Sequence, residues 1–244
     1  MKTGLILIIT IFGTCVSVKV GWRIVGGYDA EVGEYPFHVS LKIHGKHECS
    51  GSIIHPKVIL TAAHCVYQKN ASDIVILTGS NFLDRGGQLY DVIDIKHHDN
   101  YNSTIVRHDV ALLKLARPIV FDKFTKPIRL DTTYVGENMD CLLSGFGLNG
   151  FPEGNVTNEL QHVQLTTISY SLCKQLLSPS PVFPTQLCTL TKKGVGTCKG
   201  DSGGPLMRNG KQIGIVSWGR SCALGYPDVF TRLSSYFNWI LFNI

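Results

Sequence analysis

The chain has no apolar run long enough to cross a lipid bilayer. The run at residues 5–12, LILIITIF, is far shorter than the roughly 20 residues that a spanning helix needs. It follows Lys2 and precedes small and polar residues, the layout of a secretory signal peptide. We therefore expect residues 1–17 to be a signal peptide, and the remaining chain to be secreted to the extracellular space without a membrane partner.

A strong excess of one charge is also missing. Three of the 23 basic residues precede Ile24, so the chain from Ile24 on has 20 basic and 18 acidic residues. It has no basic patch interleaved with aromatics, no low-complexity segment and no repeat of about 20 to 50 residues. These absences argue against a nucleic-acid partner and against a repeat architecture.

From Ile24 on, helical patterns are scarce and short apolar or alternating runs are frequent. Gly, Pro, Asn and Asp separate these runs, as in an all-β sandwich or barrel. The runs are FHVSLKI (37–43), KVILTAA (57–63), DIVILTG (73–79), LYDVIDIK (89–96), VALLKL (110–115), MDCLLSGFG (139–147), LQHVQLTTI (160–168), KQIGIVSW (211–218) and PDVFTRL (227–233). The length predicts two barrels of about a hundred residues each, joined between residues 121 and 134. Only the C-terminal SSYFNWILFNI is predicted to be helical, with Ser234 as its cap.

The segment GVGTCKGDSGGPL, residues 194–206, allows two interpretations. Gly, Asp, Ser and Pro are ordinary turn residues, so it can be a simple surface turn. Alternatively, its glycines hold a reactive Ser202 hydroxyl. The segment also fits G-x-S-x-G of α/β-hydrolases, whose catalytic histidine follows the serine. No histidine follows Ser202, which excludes an α/β esterase.

A base for Ser202 must therefore lie upstream. His64 follows a strand-like run and two small alanines, which leave room for an imidazole, and Cys65 comes next. Asp109 immediately precedes the apolar run VALLKL, which can carry its carboxylate into a buried position behind the ring. The order His64, Asp109, Ser202 is that of the chymotrypsin triad.

Five segments together resemble the chymotrypsin-like serine proteases. They are IVGG after Arg23 (24–27), LTAAHC (60–65), DVALLKL (109–115), GDSGGP (200–205) and SWG (217–219). The resemblance covers residues 24–244. It implies two packed six-stranded antiparallel β-barrels, at about 24–125 and 126–244, with a C-terminal helix. It also implies a serine endopeptidase that cleaves proteins or peptides, binds protease inhibitors, is a monomer and needs no cofactor.

The resemblance assigns a role to each matching residue. Ser202 corresponds to the nucleophile, His64 to the general base, and Asp109 to the carboxylate that orients it. The amides of Gly200 and Ser202 correspond to the oxyanion hole. The resemblance further implies a zymogen with an activation peptide at 18–23. A separate activating protease would cleave after Arg23, and the new ammonium of Ile24 would pair with Asp201.

The cysteines give an odd count. Cys15 lies in the expected signal peptide, which leaves seven. The resemblance implies the disulfides Cys49–Cys65, Cys173–Cys188 and Cys198–Cys222. The usual family partner of Cys141 falls at Arg208, so we expect a buried free thiol, with an intermolecular bridge as the alternative. A zinc site from His44, His47, Cys49 and Cys65 competes with the first disulfide. No metal is expected, since Ser80 occupies the position of a glutamate in calcium-binding relatives.

The resemblance also locates the substrate-binding residues, which are Gly196, Ser217, Trp218, Gly219 and Asp228. Trypsin-like members have an aspartate where this chain has Gly196, so we expect a preference for large hydrophobic side chains. Asp228 occupies a position that is usually glycine. Some invertebrate digestive chymotrypsins and collagenolytic relatives share this combination. If the carboxylate reaches into the pocket it adds tolerance for Arg or Lys; if it bonds backbone amides instead, it only shapes the pocket floor.

Two further expectations concern modification and loss of function. Asn70, Asn102 and Asn155 begin N-x-S/T triplets and are candidate glycosylation sites. A non-catalytic protease homologue that acts as a binding module is the remaining alternative, although such homologues usually have a broken triad.

Overall fold

The computed structural model of the chain describes residues 25–148, 155–220 and 222–244. The expected signal peptide at 1–17 and activation peptide at 18–23, which includes Arg23, lie outside the described residues, as does Ile24.

Residues of the first half of the chain form a closed antiparallel barrel. Its strands run in the spatial order β2, β3, β4, β7, β6, β5, and β5 pairs with β2 to close it. After β1 (Tyr28–Asp29), the strands are β2 (His38–Ile43), β3 (Lys46–His55), β4 (Val58–Thr61), β5 (Ile74–Thr78), β6 (Gln88–His97) and β7 (Ala111–Leu115). Val, Ile and Leu dominate β4, β5 and β7, and their side chains fill the barrel interior.

Residues of the second half form a second closed barrel. Its order is β9, β10, β11, β14, β13, β12, and the pairing of β9 with β10 and β12 closes it. The strands are β8 (Arg129–Leu130), β9 (Asp140–Gly145), β10 (Gln161–Ile168), β11 (Gln186–Thr189), β12 (Pro205–Arg208), β13 (Lys211–Gly219) and β14 (Asp228–Arg232). The short β8 adds to β13 outside the ring. The predicted all-β fold of two six-stranded antiparallel barrels is confirmed.

Segments near both ends of the described chain pack on the barrel formed by the other half. At the N-terminal end, β1 pairs with β10 of the second barrel. At the C-terminal end, Leu233, Tyr236 and Ile240 are buried in the same hydrophobic cluster as the interior of the first barrel. Each barrel is therefore packed partly by residues from the other half of the chain.

The helices differ from the prediction in two respects. The structure has α1 (Ala63–Val66) and α2 (Tyr170–Leu177) in addition to the C-terminal α3 (Phe237–Asn243). The expected cap Ser234 is wrong: it lies in a 3-10 turn, and Tyr236 is the N-cap residue of α3, without a side-chain capping bond. By contrast, Ser169 does cap α2 through its hydroxyl. Among the described residues, every helix is too short to span a membrane.

Candidate active site

His64 lies where β4 turns into the short helix α1. The preceding alanines, Ala62 and Ala63, are fully buried, and their small side chains let this turn pack closely. The carboxylate of Asp109 accepts two hydrogen bonds from His64. One comes from the backbone amide, at 2.8 Å, and the other involves the ring Nδ1, also at 2.8 Å. The paired contact fixes both the backbone and the ring of His64.

Asp109 is held from the second barrel as well. Its side chain is 1% exposed. The hydroxyl of Ser217 on β13 donates to its Oδ2 at 2.6 Å, and the hydroxyl of Thr231 on β14 donates to its backbone carbonyl at 2.6 Å. Because its donors come from both barrels, the acid lies at their junction, where a buried carboxylate needs such partners.

The environment of His64 sets its protonation. Burial lowers its pKa, but the charge of Asp109 and the hydrogen bond to it raise the pKa by more. The net effect is a pKa above the ordinary 6.5. The carboxylate thus stabilises the imidazolium form, which a general base becomes when it accepts a proton.

The segment that contains Ser202 packs against the strand end that leads to His64. The amide of Ser50 donates to the carbonyl of Ser202 at 2.7 Å. Gly203, at φ +78°, lies so close to β4 that a Cβ there would be 2.2 Å from Thr61 Oγ1. Only glycine permits both this backbone conformation and this approach.

No hydrogen bond joins the Ser202 hydroxyl to the His64 ring in the described part of the chain. The Nε2 atom of His64 instead lies 3.7 Å from the sulfur of Cys65. In enzymes without substrate such catalytic hydrogen bonds are commonly long and shorten in the complex. The structure therefore brings together His64 and Asp109 by direct bonds, and Ser202 by the packing of its backbone.

Two backbone amides in the turn that contains Ser202 have no acceptor in the described part of the chain. Among the described residues, the amides of Gly200 and Ser202 donate to no acceptor, whereas those of Asp201 and Gly203 are bonded to Cys198 and Val216 carbonyls. Gly200 has φ +98°, a conformation that favours glycine. Two free donors next to a hydroxyl can stabilise negative charge on a substrate oxygen.

His47 is a residue near this turn whose position the sequence did not predict. Its Nε2 is 3.0 Å from the carbonyl of Gly200, and its Nδ1 is 2.8 Å from the hydroxyl of Ser40. Burial lowers the pKa of His47 to about 4, the bond to Gly200 raises it, and Lys42 lowers it. The ring is thus neutral, and because a carbonyl only accepts, Nε2 carries the proton while Nδ1 accepts from Ser40. Ser50 also donates to the Gly200 carbonyl, at 3.1 Å.

Asp201 is a fully buried carboxylate. It accepts hydrogen bonds from the amides of Gly147 and Cys198, each at 2.9 Å. Burial raises its pKa to about 7; the two amides lower it, and the charge of Asp228 raises it. Within the part of the chain that the structure describes, no cation pairs with Asp201, so its charge is compensated only by amide dipoles.

A cavity of about 330 Å³ opens beside Ser202. Its walls include Ser217, Trp218, Gly219 and the disulfide-bonded Cys198 and Cys222, and Asp228 lies among its lining residues. The Asp228 oxygens accept from the amide of Thr197 at 2.9 Å and from its hydroxyl at 2.7 Å. Asp228 therefore bonds the backbone and also lines the cavity, whereas tolerance for Arg or Lys stays a prediction.

The absence of a side chain at position 196 makes this arrangement possible. A Cβ on Gly196 would lie 2.6 Å from Asp228 Oδ2, closer than non-bonded atoms allow. Burial raises the pKa of Asp228 to about 6, against the lowering effect of its two bonds to Thr197. The Asp228 carboxylate thus occupies space that any side chain at position 196 would need.

The cysteines form the three disulfides implied by the resemblance. The bonds are Cys49–Cys65, Cys173–Cys188 and Cys198–Cys222. The sulfurs of Cys49 and Cys65 are bonded to each other, so neither is available to zinc as a thiolate. His47, one of the two histidines of the candidate zinc site, contacts the carbonyl of Gly200. Cys141 is free and buried, and burial raises its pKa to about 12. It lines a separate cavity of about 420 Å³, which does not include Ser202.

Two surface features bear on the remaining expectations. Asn70, Asn102 and Asn155 are all exposed, as glycan acceptors must be. Glycan occupancy stays a prediction.

Ser80 occupies the position of a glutamate in calcium-binding relatives. Its hydroxyl bonds the carbonyls of Phe82 and Arg85, at 2.9 and 2.6 Å, so these carbonyls already have a hydrogen-bond partner within the protein.

Comparison with known proteins agrees with this geometry. The sequence matches the trypsin family over residues 24–240. It is 39% identical to chymotrypsin-2 of Vespa crabro over 221 residues, 90% of this chain and 99% of the relative. It is 36% identical to hypodermin-B of Hypoderma lineatum, over 91% of this chain and 87% of the relative. It is 35% identical to the vitellin-degrading protease of Bombyx mori, over 100% and 96%. The chain belongs to the trypsin family of serine proteases and is a serine endopeptidase.

Proposed function

We propose that this endopeptidase is secreted as a zymogen and, once cleaved after Arg23, hydrolyses peptide bonds next to large hydrophobic residues through an acyl-enzyme. Ser202 attacks the scissile carbonyl while His64 takes the hydroxyl proton and then delivers it to the leaving amine. Water repeats the sequence to release the acyl group. Asp109 orients the ring, and the Gly200 and Ser202 amides bind the oxyanion.

The observation that carries this proposal is the double hydrogen bond from His64 to the buried Asp109. Burying a carboxylate is costly unless it is paired and hydrogen-bonded. Here its bonds fix a histidine at the end of β4, against which the Ser202 segment packs. The two unbonded amides beside Ser202 add the electrostatic part of the same chemistry.

Chromogenic peptides that end in Phe, Leu, Arg or Lys test both activity and preference. We expect hydrolysis by the processed chain, fastest after Phe or Leu, and a loss of about a millionfold in kcat for Ser202→Ala. A covalent serine-directed inhibitor should label position 202, detected by mass spectrometry. A folded chain that hydrolyses none of the peptides and is not labelled would instead be a non-catalytic binding module.

The location of Asp228 favours a second candidate specificity. Its carboxylate lines the same cavity as Ser202, and a buried negative charge there attracts the side chains of Arg and Lys. A trypsin-like or mixed preference would appear in the same assay as equal or faster hydrolysis after Arg and Lys. The Asp228→Asn variant should then lose hydrolysis after Arg or Lys and retain that after Leu.

Contacts near the start of the described chain support the zymogen proposal. The carbonyl of Val25 accepts from the amide of Gly196 at 3.1 Å. A Cβ on Gly26 would be 2.5 Å from the carbonyl of Gly194. The residues that follow Ile24 thus pack against the segment that immediately precedes Thr197, a residue of the cavity wall. An ammonium at Ile24 would supply the cation that Asp201 lacks among the described residues, and would lower its pKa.

A further inference from the structure

The residue that immediately precedes Asp109 has an unusual backbone. His108 has φ +57°, in the left-handed region that few non-glycine residues adopt. Such a conformation persists only where surrounding contacts hold it. The contacts of His108 therefore affect the position of Asp109, to which it is directly bonded.

The His108 ring is held in a cluster of aromatic rings. It stacks on His98 with ring centres 4.7 Å apart and planes 10° from parallel. Its Nδ1 is 3.0 Å from the hydroxyl of the buried Tyr236. His98 in turn contacts Tyr236 edge-on at 5.6 Å and Trp239 of α3 at 5.3 Å. The C-terminal residues thus hold both histidines.

The backbone connects the two histidines to Asp109 from both sides of the sequence: His108 precedes it, and His98 is hydrogen-bonded to Val110, which follows it. The amide of His98 donates to the carbonyl of Val110 at 3.0 Å, and the amide of Val110 donates to the carbonyl of His108 at 2.9 Å. Asp109 lies between His108 and Val110. A displacement of the stacked pair would therefore move the segment that contains Asp109.

The environment of the pair favours neutral rings. Burial is the main cause that lowers the pKa of each histidine. Around His98, Asp99 raises the pKa, and Lys96 and His97 lower it. His98 and Arg107 lower that of His108. The helix α3, with sequence FNWILFN, brings no charged side chain, and Tyr236, whose pKa is raised mainly by burial, stays neutral.

One hydrogen bond also requires an unprotonated ring. The amide of Asn100 donates to Nδ1 of His98 at 3.2 Å, and a donor cannot bond a nitrogen that already carries a proton. Protonation of His98 breaks this bond. Protonation of both rings adds repulsion between two parallel cations.

We propose that His108 is a positioning residue for Asp109, held by its stack on His98 and its bond to Tyr236, and that both rings must be neutral for Asp109 to stay bonded to His64. The proposal rests on the proposed function, in which Asp109 orients the base. Mildly acidic pH then inactivates the enzyme by more than the protonation of His64 alone.

The pH profile of kcat/KM is the first test. Protonation of His64, whose pKa lies above 6.5, gives a tenfold loss for each pH unit. Titration of His98 and His108 below 6.5 adds up to two further protons. We expect kcat/KM of the unmodified enzyme to fall by more than tenfold per pH unit where the pair titrates, and that of His108→Asn to fall less steeply, because one of the two rings no longer takes up a proton. Asparagine does not titrate and tolerates a left-handed backbone.

Matched variants separate this role from a general effect. His55 is an exposed histidine on β3, and His55→Asn should keep the steep profile. His108→Ala lacks the tolerance of asparagine for positive φ, so its kcat at pH 8 should be about tenfold lower than that of His108→Asn, with similar KM. A single-proton profile in the unmodified, folded enzyme would overturn the proposal, as would equal kcat values for the two His108 variants.

An NMR titration of the Ser202→Ala protein gives a readout without catalysis. We expect the rings of His98 and His108 to titrate below pH 6.5, and the signal of the His64 Nδ1 proton toward Asp109 to be lost over the same range. If that signal persists while both rings are protonated, the proposal is wrong. A protein that hydrolyses no peptide at any pH contradicts the proposed function, whereas this titration still tests the histidine pair.

Discussion

At the scale of single residues, we expect Asp228 to influence which substrate side chains the cavity beside Ser202 accepts. The residue is 7% exposed, and among the described residues its carboxylate is bonded only to Thr197. Ionised, it should add tolerance for a basic substrate side chain; protonated, it should favour an apolar one more strongly, because no charge must then be buried beneath that group. Its pKa of about 6 makes both states accessible near neutral pH.

This leads to a pH-dependent preference. The ratio of kcat/KM for an Arg-ending peptide to that for a Leu-ending peptide should rise about tenfold per pH unit below pH 6 and level off above it. Protonation of His64 affects both substrates equally, so the ratio isolates Asp228. In Asp228→Asn the ratio should be constant. A ratio in the unmodified enzyme that does not change with pH would show that the carboxylate does not contact the substrate.

A second residue-scale prediction concerns Gly203. A Cβ there would meet Thr61 Oγ1 at 2.2 Å and the carbonyl of Ser50 at 2.5 Å. We expect Gly203→Ala to lower the free energy of unfolding by about 3 kcal/mol, from overpacking and the left-handed backbone together. Gly210→Ala is the control, since Gly210 has φ +69° but nothing within 4 Å of its Cβ; about 1 kcal/mol is expected. Urea denaturation measures both, and equal losses would contradict the steric argument.

The sequence predicted some of these residues and not others, for physical reasons. His64, Asp109 and Ser202 could be chosen because their chemistry requires particular side chains in a particular order. The contact of His47 could not be predicted, because its partner is a backbone carbonyl 153 positions away. Every residue has a backbone carbonyl, so no residue type marks this acceptor in the sequence. The double role of Asp228 was also undetermined, since it depends on the direction of one side chain.

At the scale of elements, strands were easier to predict than helices. The run VALLKL (110–115) differs from β7 by one residue at its start, because a continuous apolar run in a barrel wall has a clear pattern. The eight-residue α2 was missed. It begins at a hydroxyl cap but is short, so its pattern could not be distinguished from the surrounding loops.

The helix α2 is linked to β11 by Cys173–Cys188, and this link can be tested. The bond closes a loop with a sequence separation of 15 residues, and such a closure contributes about 3 kcal/mol in the chain-entropy model. The double variant Cys173→Ala/Cys188→Ala should lose about that free energy of unfolding in urea. Cys141→Ala, which removes a cysteine but no disulfide, is the control and should lose less. Equal losses would mean that the bond itself does not stabilise the fold.

At the scale of the whole molecule, activation should depend on a single cleavage. Arg23→Gln should give a secreted, folded chain that a trypsin-like activating protease leaves inactive, because Asp201 then receives no ammonium from Ile24. The unmodified chain treated in the same way should hydrolyse the chromogenic peptides. Circular dichroism verifies folding of both. Undiminished hydrolysis by uncleaved Arg23→Gln would refute a zymogen.

The packing of β1 on the second barrel, and of residues 233–240 on the first, has a consequence for folding during synthesis. The core of the first barrel includes Leu233, Tyr236 and Ile240, which a ribosome adds only after all the strands of that barrel. When the first barrel emerges, part of its hydrophobic interior is still unmade, and the second barrel does not yet exist to pair with β1. The first half therefore stays incompletely packed until residues 233–240 of the second half have been translated.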